Sequence, residues 1–266
     1  DEVAHAPHLA LAAEPWPGSA AVYDAPTDAD YTLNDIIAAQ SIVGVTQTPL
    51  QAAQPGLFDR GAAVQVQLMS GALQSVSEEA MLSGANLMAI GDGSPGNWEL
   101  FQFRDAELLS EDRWLLSHRL RGQAGSDGVM PQTWPAGSLV VLLDGAPAQI
   151  TLAAAQRRIA RHYRIGPARR PYDDATYTHQ VQAFDGNGLR PYRPVHLRAE
   201  HANNIIEVSW IRRTRLDGDD WDLPDVPLAE DTESYTVRVL QDGGVLREET
   251  VTAPSWMYSD ADRLAD

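Results

Sequence analysis

Apolar residues at every second position are the feature that most limits what this chain can fold into. In the stretch AAVQVQLMSGAL, Val64, Val66 and Leu68 alternate with polar residues, which is the two-residue period of a half-buried β-strand. The stretches NWELFQFRDAEL, IIEVSW and SYTVRVLQDGGVLREETV show strand patterns as well, the last with a predicted hairpin turn at residues 242–244. The continuous apolar run SLVVLLD, residues 138–144, predicts a strand buried on both faces.

Helical patterns are few and short. Ser77 precedes Glu78 and Glu79, acidic residues suited to the first turn of a helix, and Gly84 is suited to end it. Residues 34–41 predict a second short helix. Because neither segment is long enough to organise a helical fold, the predicted class is mainly β, with several small barrel-like or sandwich-like domains.

Proline and glycine mark the predicted domain boundaries. A chain of 266 residues, 44% of them hydrophobic, is long enough for two or three domains of about 100–150 residues. Pro15 and Pro17 impose a turning backbone near the start, and residues 184–197 are again rich in glycine and proline. We predict three segments: residues 1–62, a β segment that folds alone or completes an upstream domain; residues 63–190, a β-rich domain; and residues 191–266, a separate domain.

The composition excludes several classes of function. A net charge of −17 repels a phosphate backbone, so we expect no specific nucleic-acid binding. The absence of cysteine excludes disulfides, thiolate nucleophiles and cysteine-ligated metals. No apolar run approaches the roughly 20 residues that span a bilayer, so no transmembrane segment is expected. The N-terminus has neither an initiator Met nor a signal-peptide pattern, and we expect the chain to begin inside a longer one.

The stretch LLSHRLRGQAGSDG, residues 115–128, combines two arginines with three glycines and permits two interpretations. A phosphate-binding loop needs a glycine pattern that opens a helix, but the glycines at 122, 125 and 128 match no such pattern and two prolines follow. A turn at the end of a strand, where positive φ is often required, is the favoured interpretation, and an anion site is the alternative. On the strand itself, alternation places Leu116 and His118 on one face and Arg119 on the other, with His118 as a hydrogen-bonded core histidine.

The surrounding segment, GNWELFQFRDAELLSEDRWLLSHRLRGQAGSDG, closely resembles a segment of the large tail-tip proteins of siphophages and gene transfer agents. In that family a W-E-x-x-x-F strand, an A-x-L step and an L-x-R-G-x-x-G turn occur in this order. EPWPGSAAVY, LMSGALQSVSEEAMLSGANLMAIGD and FDGNGLRPYRPVHLRAE resemble further family segments, in a consistent order along nearly the whole chain. The chain is therefore similar to the C-terminal portion of the baseplate proteins called megatron or host-specificity proteins.

The resemblance implies an architecture and a set of partners. It implies a position downstream of a TIM-barrel, glycoside-hydrolase-like domain, whose eight βα repeats this sequence does not show. Residues 191–266 resemble a fibronectin-III-like domain, expected to be incomplete because such a sandwich normally has seven strands. The resemblance further implies a homotrimer at the tail tip, or baseplate, of a particle made in the host cytoplasm. There it would contact a baseplate hub, other tail proteins, and a host cell-surface receptor or glycan.

The predicted function is that of a structural component of a phage-like tail tip that helps host-envelope attachment and DNA delivery, without catalysis and without a cofactor. Two alternatives stay open: a carbohydrate- or receptor-binding module, and a cell-wall-directed glycoside hydrolase fragment. Glycoside hydrolysis needs two facing carboxylates about 5–10 Å apart, and the sequence offers many acids without such an arrangement. No G-x-S-x-G or H-E-x-x-H pattern occurs and the seven histidines are scattered, so neither serine catalysis nor zinc is expected.

Three groups of residues are candidate contact sites. Tryptophans near turns or loops are candidates for receptor or glycan contact: Trp134, Trp221 and Trp256. The loop RLDGDDWDLPD offers the carboxylate oxygens that Ca²⁺ prefers, with internal ion pairing to preceding arginines as the alternative; its candidates are Asp217, Asp219, Asp220 and Asp222. The stretch QRRIARHYRIGPARRP is the predicted subunit interface, because arginine favours paired interfacial contacts; its candidates are Arg157, Arg158, Arg161, Arg164, Arg169 and Arg170.

Overall fold

The computed structural model describes residues 3–218, 222 and 225–266. Strands make up 42% of it and helices 9%, which confirms the predicted mainly β class. The chain divides into two compact units, one reaching to Arg190 and one beginning at Pro191. None of the helices in these described ranges is long and apolar enough to cross a membrane.

The strands and helices are numbered along the chain. The strands are β1 His8–Leu9, β2 Ala20–Ala25, β3 Thr32–Ile37, β4 Val43–Thr46, β5 Leu50–Gln51, β6 Phe58–Asp59, β7 Val64–Leu68, β8 Leu87–Gly91, β9 Trp98–Ser110, β10 Arg113–Leu120, β11 Thr133–Trp134, β12 Leu139–Leu142, β13 Ala148–Gln149, β14 Arg161–Pro167, β15 Thr178–Gln182, β16 Val195–Ala202, β17 Ile205–Ile211, β18 Tyr235–Gln241, β19 Gly244–Val251 and β20 Ser255–Ser259. The α-helices are α1 Glu78–Leu82 and α2 Asp260–Ala265, and 3₁₀ helices cover Gln123–Val129, Ala154–Gln156 and Asn187–Leu189.

Six antiparallel strands of the first unit close into a small barrel. Their order is β10–β7–β4–β12–β8–β9, and β9 pairs again with β10, which closes the ring. The short strand β6 pairs with the end of β10, beyond the segment that pairs with β7. Because closure gives every strand a neighbour on both sides, the ring presents no open sheet edge.

Apolar side chains fill the barrel. Val64, Val66 and Leu68 of β7 are buried, and Gln65 and Gln67 between them are only half-buried, so the predicted alternation is confirmed. The same core contains Leu50, Met88, Ile90, Phe101, Phe103, Leu116 and Val140. Burial of each such large side chain stabilises the fold by about 1.5–3 kcal/mol, so the barrel interior is the main source of stability in this unit.

β12 corrects the prediction of a strand buried on both faces. Val140 is 1% exposed, but its neighbour Leu139 is 40% exposed. A strand in the wall of a small barrel has one face toward the interior and one toward the outside. Although the run is continuously apolar, its side chains therefore alternate between buried and more exposed positions.

The two predicted helices have different outcomes. Ser77 caps α1, since its Oγ accepts a hydrogen bond from the backbone N–H of Ala80 at 3.1 Å, so the first helix is confirmed. The helix predicted at residues 34–41 is wrong, because residues 34–37 lie in β3, which pairs with β2. Pairing with a neighbouring strand outweighs a weak local preference of this kind.

A four-stranded antiparallel sheet, in the order β15–β14–β2–β3, also belongs to the first unit. Its core contains Val22, Ile37, Ile150 and Tyr163. Because β2 and β3 precede residue 62 while β14 and β15 follow it, this sheet joins the first two predicted segments. β4 likewise places residues 43–46 inside the barrel, so residues 1–62 do not form a unit of their own.

The second unit contains two small sheets among its described residues. One is β16–β17–β20 and the other is the hairpin β18–β19. The hairpin turns at Asp242 and Gly243, whose φ angles are 50° and 83°, between the paired residues Gln241 and Gly244. Two positive φ angles in a two-residue loop are typical of the turn that matches strand twist, so the predicted hairpin is confirmed.

Candidate functional site

The two arginines of the glycine-rich stretch lie inside the barrel rather than at its surface. Arg119 is 1% exposed and Arg121 is 0% exposed. Arg121 donates through Nε and Nη2 to the two carboxylate oxygens of Glu99, at 2.7 and 2.8 Å. Arg119 donates through Nε to Oδ2 of Asp59 at 2.9 Å. Both cations are already paired and buried, so neither is available to a phosphate.

A left-handed residue in β10 explains why the arginines point inward. Leu116 and Arg119 are both buried, although alternation predicts opposite faces for them. Between them His118 has a φ of 49°, a conformation uncommon outside glycine, and the partner of β10 changes there from β7 to β6. The His118 side chain is hydrogen bonded to Asp105, with 2.5 Å between Nδ1 and Oδ2, but it is 37% exposed, so it is not a core residue.

The glycines of the stretch form a turn, as the favoured interpretation predicted. Gly122 and Gly125 have φ angles of 62° and 77°, which glycine adopts at little cost. A Cβ added to Gly122 would lie 2.6 Å from Cβ of Asp127. The backbone N–H of Gly122 also donates to Oε1 of Glu99 at 3.2 Å, so the turn is part of the buried ion-pair network.

The predicted glycan contacts are corrected by burial. Trp134 is 2% exposed and donates from Nε1 to Oε2 of Glu99 at 2.6 Å. Trp256 is 9% exposed, donates from Nε1 to Oε2 of Glu249 at 2.9 Å and packs on Tyr258. Both side chains support the fold and present no free ring face. Trp221 lies outside the described residues.

The predicted calcium loop is described only in part. Asp219 and Asp220 lie outside the described residues, and in the described part of the chain neither Asp217 nor Asp222 belongs to a group of three potential metal ligands. The preceding arginines form ion pairs: Arg212 lies 2.9 Å from Asp225 and 3.1 Å from Glu233, and Arg215 lies 3.0 Å from Glu230. Asp225 is the last residue of the stretch RLDGDDWDLPD, so its pair with Arg212 agrees with the alternative of internal ion pairing.

Four of the six arginines proposed for a subunit interface pair with acids of the same chain. Arg161 pairs with Asp24 and Arg164 with Asp28, in the four-stranded sheet. Two more exposed pairs join Arg158 to Asp185 and Arg170 to Asp174. Arg157 and Arg169 are exposed and form no ion pair with any described residue. No acid among the described residues neutralises the charge of these two side chains.

The structure also brings together two histidines and an aspartate that the sequence reasoning missed. His162 lies in β14, His179 in β15, and Asp28 in the loop between β2 and β3. Nδ1 of His162 lies 3.0 Å from Nε2 of His179, which lies 3.9 Å from Oδ1 of Asp28. Their ligand atoms all lie within 4.8 Å of one another. We call these residues the His162–His179–Asp28 cluster.

A tyrosine and an arginine hold the carboxylate of this cluster. Oδ1 of Asp28 accepts hydrogen bonds from Tyr31 at 2.6 Å and from Nη2 of Arg164 at 2.9 Å. These two hydrogen bonds, of which that from Tyr31 has the larger effect, lower the pKa of Asp28 to about 2. The carboxylate is therefore ionised at neutral pH. The guanidinium of Arg164 also lies over the Tyr31 ring, 5.1 Å from its centroid. The signal for this cluster in the sequence was limited to the Arg-rich stretch, which contains His162. The three ligands are far apart in the sequence, and strand pairing brings them together.

A cleft of about 190 Å³ in the first unit bears on the hydrolase alternative. Its lining consists of Ile42, Ala72, Leu73, Gln74, Asn86, Leu87, Leu142, Leu143 and Asp144. Glycoside hydrolysis uses a pair of carboxylates, and Asp144 is the one ionisable residue of this lining. The cleft therefore lacks the second group that this chemistry needs.

The barrel region is similar to a known family. Residues 41–141 match the family described as Rcc01698-like, C-terminal. The match covers less than half of the chain, begins just before β4 and ends within β12, so it includes strands from all six positions of the barrel. Glu99, Arg121 and Trp134, which form the buried network, all lie inside it. Among curated proteins no match was found.

Proposed function

We propose that this chain is a structural module of a phage-like tail tip or baseplate, of the gene-transfer-agent type, that helps host-envelope attachment and DNA delivery. The observation that carries the proposal is the coincidence of the Rcc01698-like match with the closed barrel. The name of that family comes from a family associated with the gene transfer agent of Rhodobacter capsulatus. The resemblance of segments on both sides of the match to tail-tip proteins supports the same assignment.

The chemistry of the barrel supports a structural role over a catalytic one. The most polar residues of the family-like motif, Glu99, Arg119 and Arg121, neutralise one another or Asp59 within the core. Buried groups that are fully paired make a core specific and rigid but give a substrate no access. A closed barrel beside a second sheet is a compact element for transmitting load along a tail.

The proposal includes partners. The full protein would form a homotrimer at the distal end of the tail, bound to a baseplate hub, and would face a receptor or glycan of the host. Arg157 and Arg169 are the strongest candidates for subunit contact, because they are exposed and unpaired among the described residues. Arginine of this kind fits an acidic surface on a neighbouring subunit.

A cryo-EM map of the intact particle tests the proposal. We expect density for the six-stranded barrel at the distal tail, repeated around the tail axis. Particles from a strain that lacks this chain serve as the control and should lose that density together with host attachment. A complete particle map in which this chain is absent, with attachment unchanged on deletion, would contradict the proposal and make glycan-binding and hydrolase assays the next step.

A further inference from the structure

The His162–His179–Asp28 cluster combines three ligand types that transition metals prefer. Zn²⁺ and related ions bind imidazole nitrogen and carboxylate oxygen, with metal–ligand distances of about 2.0–2.2 Å. Ligand atoms at the corners of such a tetrahedron lie roughly 3.3–3.5 Å apart. The observed distances of 3.0 Å between the two nitrogens and 3.9 Å from Nε2 of His179 to the carboxylate oxygen lie on either side of that value. Small side-chain rotations would bring all three into range.

The two rings are oriented so that their nitrogens face each other. The ring planes differ by 12° and the centroids are 5.2 Å apart, although the nitrogens are only 3.0 Å apart. A large centroid separation with a short nitrogen contact means that the rings meet at their nitrogen edges and do not overlap face to face. A proton fits between the two nitrogens as they stand, in a hydrogen bond. A metal ion at about 2.0–2.2 Å from each nitrogen requires the two rings to turn so that both nitrogens point to the same side.

The alternative explanation is a surface hydrogen bond between two histidines beside an ordinary ion pair. The position of Arg164 favours this alternative, because a guanidinium 2.9 Å from Asp28 repels a cation and competes for the carboxylate. Against it, Arg164 and Tyr31 both donate to Oδ1 and hold the carboxylate in place. Hydrogen bonds from outer residues orient metal-ligating carboxylates in the same way. The three ligands also come from three separate chain segments, which a metal would tie together.

We propose that Asp28, His162 and His179 bind one divalent transition-metal ion, of which Zn²⁺ is the best match, through one carboxylate oxygen and two imidazole nitrogens. Water completes the coordination, since the cluster offers three protein ligands. The metal fixes the β2–β3 loop to strands β14 and β15 and so stabilises the four-stranded sheet. This site is independent of the proposed tail-tip function.

Calorimetric titration of the metal-stripped chain with Zn²⁺, followed by the visible absorption of bound Co²⁺, tests the site. We expect one ion per chain, Co²⁺ bands typical of nitrogen and oxygen ligands, and a rise in Tm with Zn²⁺. His162→Ala combined with His179→Ala should lose the ion and the rise in Tm. Loss of an outer-shell partner alone weakens metal binding by about 10–100-fold, so loss of either ligand should have at least that effect.

His201→Ala is the matched control, because His201 is an exposed histidine on β16 of the other unit. It should bind Zn²⁺ as the unchanged chain does. Circular dichroism without metal shows whether the double variant is folded. If the double variant is unfolded, Asp28→Asn is used in its place, because this substitution nearly preserves the shape of the side chain. Equal Zn²⁺ affinity in the unchanged chain and the ligand variants, or no saturable binding by the unchanged chain, would overturn the proposal.

Discussion

Four hydrogen bonds converge on the carboxylate of Glu99 inside the barrel. Two come from Arg121, one from Nε1 of Trp134 and one from the backbone N–H of Gly122. Both Glu99 and Arg121 are fully buried, so each charge depends on the other for the solvation that water would otherwise supply. This residue is therefore the centre of the polar network in the core.

Glu99→Gln should lower the free energy of unfolding by about 3–5 kcal/mol, because it removes the carboxylate that pairs closely with the buried Arg121 charge and leaves that charge with the more distant carboxylate of Asp59, at 3.6 Å. Chemical denaturation followed by fluorescence measures the change. Glu107→Gln makes the same chemical change at an exposed position of the same strand, and surface changes of this kind usually stay within about 0.5 kcal/mol. Similar losses in both variants would show that the buried pair has no special importance.

Gly122→Ala should also destabilise the barrel, by about 1–3 kcal/mol. Its φ of 62° is unfavourable for alanine, and the new Cβ would lie 2.6 Å from Cβ of Asp127. Gly128→Ala is the control in the same turn, since a Cβ there meets no atom within 4 Å and should be neutral or slightly stabilising. Thermal unfolding of the two variants distinguishes them, and an equal shift in Tm would contradict the role of the left-handed turn.

Single residues were the hardest features to predict. Trp134 and Trp256 follow turn signals in the sequence, yet both are buried with their indole N–H bonded to a carboxylate. Position near a turn says little about exposure when the turn folds back over a core. His162 and His179 are 17 positions apart on paired strands, so their meeting depends on a strand register that the local sequence does not specify.

At the scale of elements, the prediction succeeded where the pattern was local. The alternation in β7, the Ser77 cap of α1 and the turn between β18 and β19 all depend on neighbouring residues. It failed at residues 34–37, where pairing with β2 decides the conformation, and in β12, where closure of the barrel sets which face is buried. In β10 a single left-handed residue, His118, reversed the predicted faces beyond it.

The loop between β8 and β9 is held by Asp92. Its Oδ1 accepts from the backbone N–H and the hydroxyl of Ser94, at 2.9 and 2.6 Å, and its Oδ2 accepts from Asn97 at 2.7 Å. These hydrogen bonds, led by that of the Ser94 side chain, lower the pKa of Asp92 from 3.8 to about 2. A folded-state pKa below the unfolded value means that the ionised carboxylate stabilises the folded state.

That contribution is full above the unfolded pKa near 3.8 and is lost as pH falls through the folded value of about 2. We therefore expect an NMR titration of the Asp92 carboxyl carbon with a midpoint near pH 2. The difference in stability between the unchanged chain and Asp92→Asn should shrink between pH 4 and pH 2. A midpoint close to 3.8, or a difference independent of pH in that window, would contradict the hydrogen-bonded loop.

At the scale of the whole molecule, one of the two predicted boundaries between segments coincides with a division of the structure and the other does not. The Pro- and Gly-rich stretch around residue 190 coincides with the division between the two compact units. No division corresponds to residue 62, because strands from both sides of it share the barrel and the four-stranded sheet. Pairing between strands that are far apart in the chain decides which residues share a unit, and such pairing cannot be recognised from the local composition.

Truncation distinguishes the two accounts of the N-terminal segment. Residues 1–190 include every strand of the barrel and of the four-stranded sheet, so we expect that fragment to unfold cooperatively with buried tryptophan fluorescence. Residues 63–190 lack β4, which separates β7 from β12 in the ring, and lack β2 and β3 from the other sheet. An open ring exposes the strand edges of β7 and β12 and the apolar core beside them, so this shorter fragment should aggregate or stay unfolded. Cooperative unfolding of residues 63–190 with stability equal to that of residues 1–190 would show that the first 62 residues are a separate segment after all.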